Sequence, residues 1–386
     1  SQPRPGPSGH DGLCVAGEGL FDFLPRRTAE GEACYVPKAG GSPFNVCIAA
    51  RRMGLPVHYF GGLSRDLFGE DLHAQLVREG VDSSLVRRVA NPSTLAFVKP
   101  AAGTDSVKYA FFKENSADRC MSVEDAASAC EGRSFGAVHL SLGAITFEDA
   151  HMAEVFRELF AGARASGAFT SFDPNVRANM IERKAEEYVR KVEAFIVLVD
   201  VVKASDEDIA FLYGADRDFV EVAERWLDIG ARLVVVTRGA QGAAAFYRPA
   251  AATLASVRAV APTRPPNTID ADGNSVPVAD TVGAGDTLTG ALLHGLLGRR
   301  LLDAMGDDVG VGAGGDSHAV TGGHGGEAPT GLSGPDPAAC AGEPAVCSSL
   351  APQLVAGAAW DSGAVKRLTA VLHEAVAAAA INVARP

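Results

Sequence analysis

Two aspartates enclose a glycine-rich turn in residues 280–286, which read DTVGAGD and precede an apolar run of small residues over 287–297. Such a turn, leading directly into a buried helix, leaves the first backbone N–H groups of the helix unpaired, so they can bind an anion such as phosphate. Asp286 at the same helix start can accept a proton from a hydroxyl group that attacks this phosphate, so we predict that it is a catalytic base. The N–H groups of Gly283, Ala284 and Gly285 are predicted to stabilise the charge of the transferred phosphoryl group.

Other glycine-rich motifs do not match this segment. A Walker A loop ends in Gly-Lys followed by Ser or Thr, and residues 280–286 contain no lysine. A dinucleotide-binding fingerprint has a third glycine where this chain has Leu288, and it normally follows the first strand of the fold. A purely structural interpretation stays open, in which the segment is a tight strand-to-helix turn and Asp286 interacts favourably with the helix dipole.

The elements that must position this segment follow an alternating pattern. Short β-rich runs alternate with longer runs in which apolar residues recur every three or four positions. This pattern predicts an α/β fold with a doubly wound, mostly parallel sheet flanked by helices. The predicted strands are 13–17, 57–60, 137–141, 168–173, 195–203 and 233–237. The predicted helices are 43–53, 68–79, 147–165, 185–194 and 219–229.

Two parts of the chain interrupt the alternation. Residues 34–36, 94–99 and 106–113 are typical of strands without helices between them, and we expect them to form a small antiparallel β lid. Residues 307–352 are dense in Gly, Ala, Ser and Pro, which predicts a flexible insertion before a final helix over 365–381. The predicted organisation is a disordered tail over 1–10 and one domain over 11–386, with lid strands over 33–38 and 94–113.

The composition of the chain limits its class. With 386 residues and 47% hydrophobic content, it is long enough to bury a large core. Its net charge of −12 argues against a nucleic acid or an anionic membrane as the main partner. The seven cysteines are scattered without a CxxC spacing, which is typical of free thiols in a reducing compartment and not of a metal cluster. We find neither a signal-peptide pattern nor a membrane-length apolar run, so we expect a cytoplasmic protein.

Two segments together resemble the signatures of a known family. DTVGAGD resembles the C-terminal signature of the ribokinase-like (PfkB) carbohydrate kinases, and residues 40–52 (GGSPFNVCIAARR) with Gly54 resemble the N-terminal one. The likeness within the family is greatest to bacterial-type fructokinases, on the segments 17–23 (GEGLFDF), 111–119 (FFKENSADR), 172–177 (FDPNVR) and 203–208 (KASDED). The resemblance implies a ribokinase-like fold and ATP-dependent phosphorylation of a sugar hydroxyl, with fructose as the expected acceptor.

The resemblance also implies ATP and Mg²⁺ as cofactors, with a monovalent cation such as K⁺ as a further candidate. The expected partners are the sugar, ATP and a second copy of the chain, since lid sheets in this family often pair between subunits. Three alternatives stay open. In the first, the acceptor is 2-keto-3-deoxygluconate, ribose or a nucleoside. In the second, the protein is a non-catalytic sugar or nucleotide sensor. The third is a nicotinamide oxidoreductase, which Leu288 disfavours because a dinucleotide fingerprint has glycine there.

A sugar site is implied near the first strands. Asp22 is expected to hydrogen-bond sugar hydroxyls, and a turn-capping aspartate is the structural alternative. Gly40 and Gly41 are expected to let the backbone approach the ligand closely. Asn45 is expected to offer the sugar both a hydrogen-bond donor and an acceptor.

Three further residues are expected to act on the substrate. Phe111 and Lys113 alternate onto one face of the lid and are expected to close over the sugar, with strand packing and a solvated lysine as the alternatives. Phenylalanine at 111 favours a neutral hexose, because relatives that act on 2-keto-3-deoxygluconate are expected to carry a tyrosine there. Arg177 is expected to hold the substrate or the transferring phosphate, unless it is a surface arginine.

The nucleotide and metal site departs from the family pattern at one point. Many relatives have an Asn-x-x-Glu motif that organises Mg²⁺, whereas this chain has Ser205 and Asp208 at those positions. Asp208 is therefore the expected metal residue, acting through water. The residues expected to contact the nucleotide are Lys203, Ser205, Thr237, Gly239, Gly242 and Asn382.

Overall fold

Strands made largely of Val, Leu and Ala lie at the centre of the molecule, because helices cover both faces of the sheet that they form. A computed structural model describes residues 12–100, 107–141, 149–176, 181, 185–248, 254–259, 283–299, 301 and 362–383. The strands in these residues are β1 (Leu13–Ala16), β2 (Leu20–Arg27), β3 (Ala33–Gly40), β4 (Val57–Ser64), β5 (Val86–Val89), β6 (Thr94–Pro100), β7 (Val107–Phe112), β8 (Ala137–Ser141), β9 (Phe169–Asp173), β10 (Val201–Ser205), β11 (Leu233–Thr237), β12 (Ala243–Tyr247) and β13 (Ala255–Ala259). The α-helices are α1 (Ser42–Arg52), α2 (Leu67–Glu79), α3 (Val123–Cys130), α4 (Ala150–Ala165), α5 (Ala185–Ile196), α6 (Asp206–Tyr213), α7 (Phe219–Ile229), α8 (Ala284–Gly298) and α9 (Ser362–Val383).

The main sheet contains its strands in the order β13-β12-β11-β10-β9-β8-β1-β4-β5. The strands from β11 to β5 pair in parallel, and β12 and β13 extend the sheet by antiparallel pairing. After β1 the chain continues to β4 on one side and then to β8 on the other, so the strand order reverses between β1 and β8. In doubly wound sheets, ligands bind beyond the carboxyl ends of the strands at such a reversal. The topology therefore predicts a ligand site at the carboxyl ends of β1 and β8.

Helices pack on both faces of this sheet. On one face α1, α8 and α9 bury apolar side chains such as Phe44 and Leu368. On the other face α4, α5 and α7 bury larger aromatic side chains, among them Phe156, Phe195 and Trp226. The predicted α/β architecture is confirmed, and α8 lies where its first turn reaches the carboxyl edge of the sheet.

A second sheet forms the lid, in the strand order β3-β2-β6-β7. Its two outer pairings are antiparallel, as predicted, and its central pairing of β2 with β6 is parallel. The sequence does not predict β2, because its segment LFDFLPRR contains a proline and ends in two arginines. Long-range pairing with β3 and β6 stabilises this strand despite its composition.

One predicted strand is partly wrong. The strand predicted over 195–203 does not include its first residues, because α5 continues to Ile196 and β10 begins at Val201. Packing explains the difference, since side chains with helical spacing are buried along this face of α5. These buried residues are Tyr188, Val192, Phe195 and Ile196.

The remaining organisation is partly observed. The final helix is confirmed as α9. The tail over 1–10 and the insertion over 307–352 lie outside the described residues, so the domain boundaries stay a prediction. Of the helices that the structure describes, none combines the length and the apolar character that crossing a membrane requires.

Glycine at position 290 lets α8 pack closely on α1. A Cβ atom there would lie 2.9 Å from Ala49 Cβ and 3.0 Å from the backbone nitrogen of Ala50. We therefore expect Gly290→Ala to lower the free energy of unfolding by about 1–3 kcal/mol, although alanine is ordinarily the better helix former. Gly298→Ala in the same helix is the matched control, because a Cβ there would meet no described atom within 4 Å. Urea denaturation compares the two variants, and equal stabilities would contradict the packing argument.

Candidate active site

The turn before α8 has the backbone geometry of an anion site. Gly283 is the N-cap of the helix and adopts the left-handed conformation with φ of 81°, which glycine reaches without strain. Because the N-cap is a glycine, no N-cap side chain bonds to the first N–H groups of the helix. No capping side chain of residue 283 therefore occupies the predicted anion hole of Gly283, Ala284 and Gly285, and this anion hole stays a prediction.

Asp286 lies in the first turn of α8 and is held by the start of α1. Ser42 Oγ donates a hydrogen bond to Asp286 Oδ1 at 2.6 Å, and Asn45 Nδ2 donates to Asp286 Oδ2 at 2.9 Å. Both donors follow Gly41, which is the N-cap residue of α1 and has φ of 97°. The two halves of the sequence that carry the family signatures thus meet at one carboxylate.

The surroundings of Asp286 alter its proton affinity. Burial raises the pKa of Asp286, while the hydrogen bonds from Ser42 and Asn45 and the charge of Lys203 act in the opposite direction. The pKa is raised overall. A carboxylate with a raised pKa is a stronger base, which suits the removal of a proton from a hydroxyl group.

Lys203 forms a buried ion pair beneath the turn. Its Nζ lies 2.8 Å from Asp173 Oδ2, and the two side chains are 7% and 3% exposed. A Cβ atom on Gly285 would lie 3.6 Å from the same Nζ, so the positive charge is next to the first turn of α8. Although burial opposes its charge, Asp173 and Asp208 raise the pKa of Lys203. Lys203 is therefore a cation under the predicted anion hole, and its predicted contact with the nucleotide remains untested.

The predicted sugar residues adjoin this site. Asp22 on β2 lies over Gly40, since a Cβ atom on Gly40 would be 2.3 Å from Asp22 Oδ2. A Cβ atom on Gly41 would be 2.6 Å from the carbonyl oxygen of Glu18, so this backbone contact requires glycine at position 41. Gly40 and Gly41 immediately precede α1, and Asn45 lies in the first turn of this helix.

The lid places Phe111 on the same face as Asp22. Ala96 on β6 is the register partner of both residues, and residues in register project to one face of a sheet. Phe111 packs beside Leu20 and Ala96 and stacks on Tyr109 with ring centroids 5.6 Å apart. Lys113 follows directly after the end of β7. Phe111 and Asp22 thus share one face of the lid, and closure of Phe111 over a sugar stays a prediction.

Ser205 and Asp208 form a capping box at the start of α6. Asp208 Oδ2 accepts hydrogen bonds from Ser205 N at 2.8 Å and Ser205 Oγ at 2.7 Å, and Oδ1 accepts one from Val176 N at 2.8 Å. Burial is the main cause that raises the pKa of Asp208. Among the described residues, no group of three or more His, Cys, Asp or Glu side chains is arranged to hold a metal ion. The carboxylate thus has a structural role here, and its role toward Mg²⁺ stays a prediction.

The predicted nucleotide turn lies at the carboxyl edge of the sheet. Thr237 ends β11 in register with Ser205 at the end of β10, so the structure brings these two predicted residues together. Gly239 and Gly242 have φ of 48° and 84° around a short 3-10 helix that joins β11 to β12. Asn382 belongs to α9, and its side chain lies outside the described part of the structure.

Other predicted features fall outside the described residues altogether. They are Arg177 and residues 280–282 of the DTVGAGD segment.

Three residues of the site are not predicted from the sequence. Ser42 and Ser141 are both buried, and their Oγ atoms lie 2.5 Å apart at the carboxyl end of β8. Asp173 ends β9 within the segment FDPNVR and pairs with Lys203. The signal for Asp173 is its place at a strand end inside a family segment, whereas nothing in the sequence connects Ser42 with Ser141.

Comparisons with known proteins identify the family of this chain. The pfkB family carbohydrate kinase model matches residues 22–307. A fructokinase from Rhizobium leguminosarum bv. trifolii is 36% identical over 293 residues, which cover 75% of this chain and 81% of that protein. The crystal structure of fructokinase with bound ATP from Xylella fastidiosa has a TM-score of 0.61 and 26% identity, covering 77% of this chain and 86% of that one. The crystal structure of fructokinase from Vibrio cholerae O395 in fructose, ADP and calcium ion bound form has a TM-score of 0.59 and 26% identity, covering 74% and 83%.

The family match includes Asp22, Asn45 and Asp286, the side chains around which the site is built. A match over residues 22–307 spans most of the chain and both family signatures. The protein therefore belongs to the pfkB family of carbohydrate kinases.

Proposed function

We propose that this carbohydrate kinase transfers the γ-phosphoryl group of ATP to a hydroxyl group of fructose. The observation that carries the proposal is the position of Asp286, which lies in the first turn of α8 and is held by Ser42 and Asn45. Asp286 directly follows the glycine turn, and its partner Ser42 lies two positions after Gly40, which is next to the Asp22 carboxylate. The similarity to fructokinases supports fructose as the acceptor.

The proposed reaction is an in-line displacement at the γ-phosphorus atom. The sugar oxygen forms a bond to phosphorus, the bond from phosphorus to the β,γ-bridging oxygen breaks, and ADP leaves. Asp286 accepts the proton of the attacking hydroxyl group. The N–H groups of Gly283, Ala284 and Gly285 donate to the phosphoryl oxygens, and the charge of Lys203 beneath them adds to this stabilisation.

The lid supports a neutral hexose as the substrate. Asp22 supplies a carboxylate that can accept hydrogen bonds from sugar hydroxyls, and Phe111 on the same face supplies an apolar ring without a donor. A ring that covers the sugar would exclude water, which limits the hydrolysis of ATP.

Mg²⁺ is proposed to accompany ATP and to neutralise charge on its phosphates. Asp208 is the residue proposed to hold it, and carboxylate oxygen is a donor that Mg²⁺ prefers. Because both oxygens of Asp208 already accept hydrogen bonds from the protein, it fits contact with a metal-bound water better than direct ligation. K⁺ stays a prediction from the family resemblance.

A homodimer through the lid is also proposed. On the lid face opposite to Asp22, the Phe97 ring stacks on Phe23 at 4.5 Å and contacts Tyr35 at 5.4 Å and Phe112 at 5.6 Å. Tyr35 is 47% exposed and Phe112 63% exposed, so apolar area on this face remains open to a partner. Sedimentation of the purified protein decides whether a second copy covers it.

A cytoplasmic location is proposed as well. Cys14, Cys34, Cys47, Cys120 and Cys130 are free thiols in the structure, which supports a reducing compartment.

An acceptor screen tests the function. ADP release would be measured by a coupled assay with fructose, ribose, 2-keto-3-deoxygluconate and a nucleoside, each with ATP and Mg²⁺, against a reaction without acceptor. We expect fructose to give the highest kcat/KM. A higher kcat/KM for another acceptor would replace fructose as the substrate and keep the kinase assignment. Binding of sugar and ATP without turnover would instead identify a sensor.

A further inference from the structure

We propose that Ser42, itself oriented by Ser141, is a positioning residue that fixes the Asp286 carboxylate for deprotonation of the sugar hydroxyl. The inference rests on the proposed kinase function, and it extends that function to two serines outside the predicted site. It starts from three groups in contact, of which Ser42 and Ser141 are buried and Asp286 is partly exposed, at the point where the strand order of the main sheet reverses.

The hydrogen-bond directions in this group follow from its chemistry. An ionised carboxylate can only accept hydrogen bonds, so the single hydroxyl proton of Ser42 points to Asp286 Oδ1, 2.6 Å away. Ser42 must then accept at its other contact, the 2.5 Å contact with Ser141 Oγ, and Ser141 must donate. The result is a one-way chain from Ser141 through Ser42 to Asp286. Each bond in this chain polarises the next one.

Close packing holds the serines in place. Ser42 is the first residue of α1 and Ser141 the last residue of β8, and they are 7% and 0% exposed. A Cβ atom on Gly17 would lie 2.4 Å from Pro43 Cγ and 3.0 Å from the carbonyl oxygen of Ser141. The ends of β1 and β8 therefore pack directly against the start of α1. The backbone of each serine is therefore held by packing between these elements.

The arrangement leaves Asp286 able to act. Ser42 holds one carboxylate oxygen and Asn45 the other, which fixes the plane of the carboxylate. Each carboxylate oxygen has two lone-pair directions, so a sugar hydroxyl can approach without displacing either donor. Fixing the base in advance avoids its reorganisation during the reaction.

The same contact has an electrostatic consequence. Activity requires ionised Asp286 and is lost as the pH falls through the pKa of this group. The hydrogen bond from Ser42 lowers that pKa, so its removal should make the loss begin at a higher pH. Among the described residues, the charged groups that act on Asp286 are Lys203 on β10, which lowers its pKa, and Asp173 on β9, which raises it. Both remain when Ser42 is changed.

The test compares Ser42→Ala, Ser42→Thr and Ser141→Ala with the parent across pH. For Ser42→Ala we expect kcat with fructose to fall roughly 10-fold or more, with KM nearly unchanged, because the base loses its orientation. The acid limb of the pH profile should move upward by about one pH unit. Ser42→Thr retains the hydroxyl and should restore the acid limb, and Ser141→Ala should show a smaller shift in the same direction.

Ser166→Ala is the control for losing a serine hydroxyl elsewhere, since Ser166 Oγ donates to the carbonyl oxygen of Ala163 at the end of α4. Thermal melting of all variants separates a loss of folding from a loss of positioning. An active parent together with a Ser42→Ala variant of unchanged kcat and acid limb would overturn the inference alone. A parent that phosphorylates no acceptor would overturn the proposed function, and this inference with it.

Discussion

Replacing Asp286 with alanine is expected to lower kcat by about 10³-fold or more while the protein stays folded. The reason is that alanine cannot accept the proton of the sugar hydroxyl, and Ser42 and Asn45 lose the carboxylate that they hold in the first turn of α8. Loss of the base should not abolish the reaction, because the N–H groups of the glycine turn remain. The coupled ADP-release assay with fructose measures kcat, and calorimetry measures whether the sugar still binds.

Asp286→Asn separates the charge of this residue from its shape. Burial raises the pKa of Asp286 in the folded protein, so its ionised form costs folding free energy at neutral pH. This cost falls as the pH drops and the carboxyl group becomes protonated. The asparagine variant should therefore melt at the same temperature as the parent or higher at pH 7, while its kcat falls as in the alanine variant. A variant with near-parental kcat would remove Asp286 from the mechanism.

Replacing Lys203 with methionine is expected to cost about 3–5 kcal/mol of folding free energy. Asp173 would remain as a carboxylate that is 3% exposed and has lost its cation, and the energy of an uncompensated buried charge is large. Activity should also fall, because the positive charge next to Gly285 is lost. Urea denaturation measures the free energy of unfolding.

The matched control is a surface ion pair. Arg217 and Glu221 pair at 3.0 Å with side chains 53% and 62% exposed, so Arg217→Met should cost less than about 1 kcal/mol. The double variant Lys203→Met with Asp173→Asn should recover part of the lost stability, since no unpaired charge is then buried. Equal costs for Lys203→Met and Arg217→Met would contradict the importance of burial at this pair.

The sequence predicts the layers of the fold well because its signals are local. Apolar residues at helical spacing, separated by short β-rich runs, predict the α/β architecture whatever lies beside each element. The strand predicted over 195–203 fails at its start because residues with helical spacing lie next to a β-rich run, and only core packing decides where α5 ends. The lid strand β2 is missed for a related reason, since its stability comes from partners distant in the chain.

The sequence by itself determined the family and predicted Asp286 and the glycine turn as a catalytic site, because each signature is a short continuous segment. Only the tertiary structure decided which side chains surround Asp286. Ser42 and Asp286 are separated by 244 positions in the chain, and Ser42 and Ser141 by 99. Such contacts have no local signal, since they arise from the parallel strand order that brings the start of α1, the end of β8 and the first turn of α8 to one edge of the sheet.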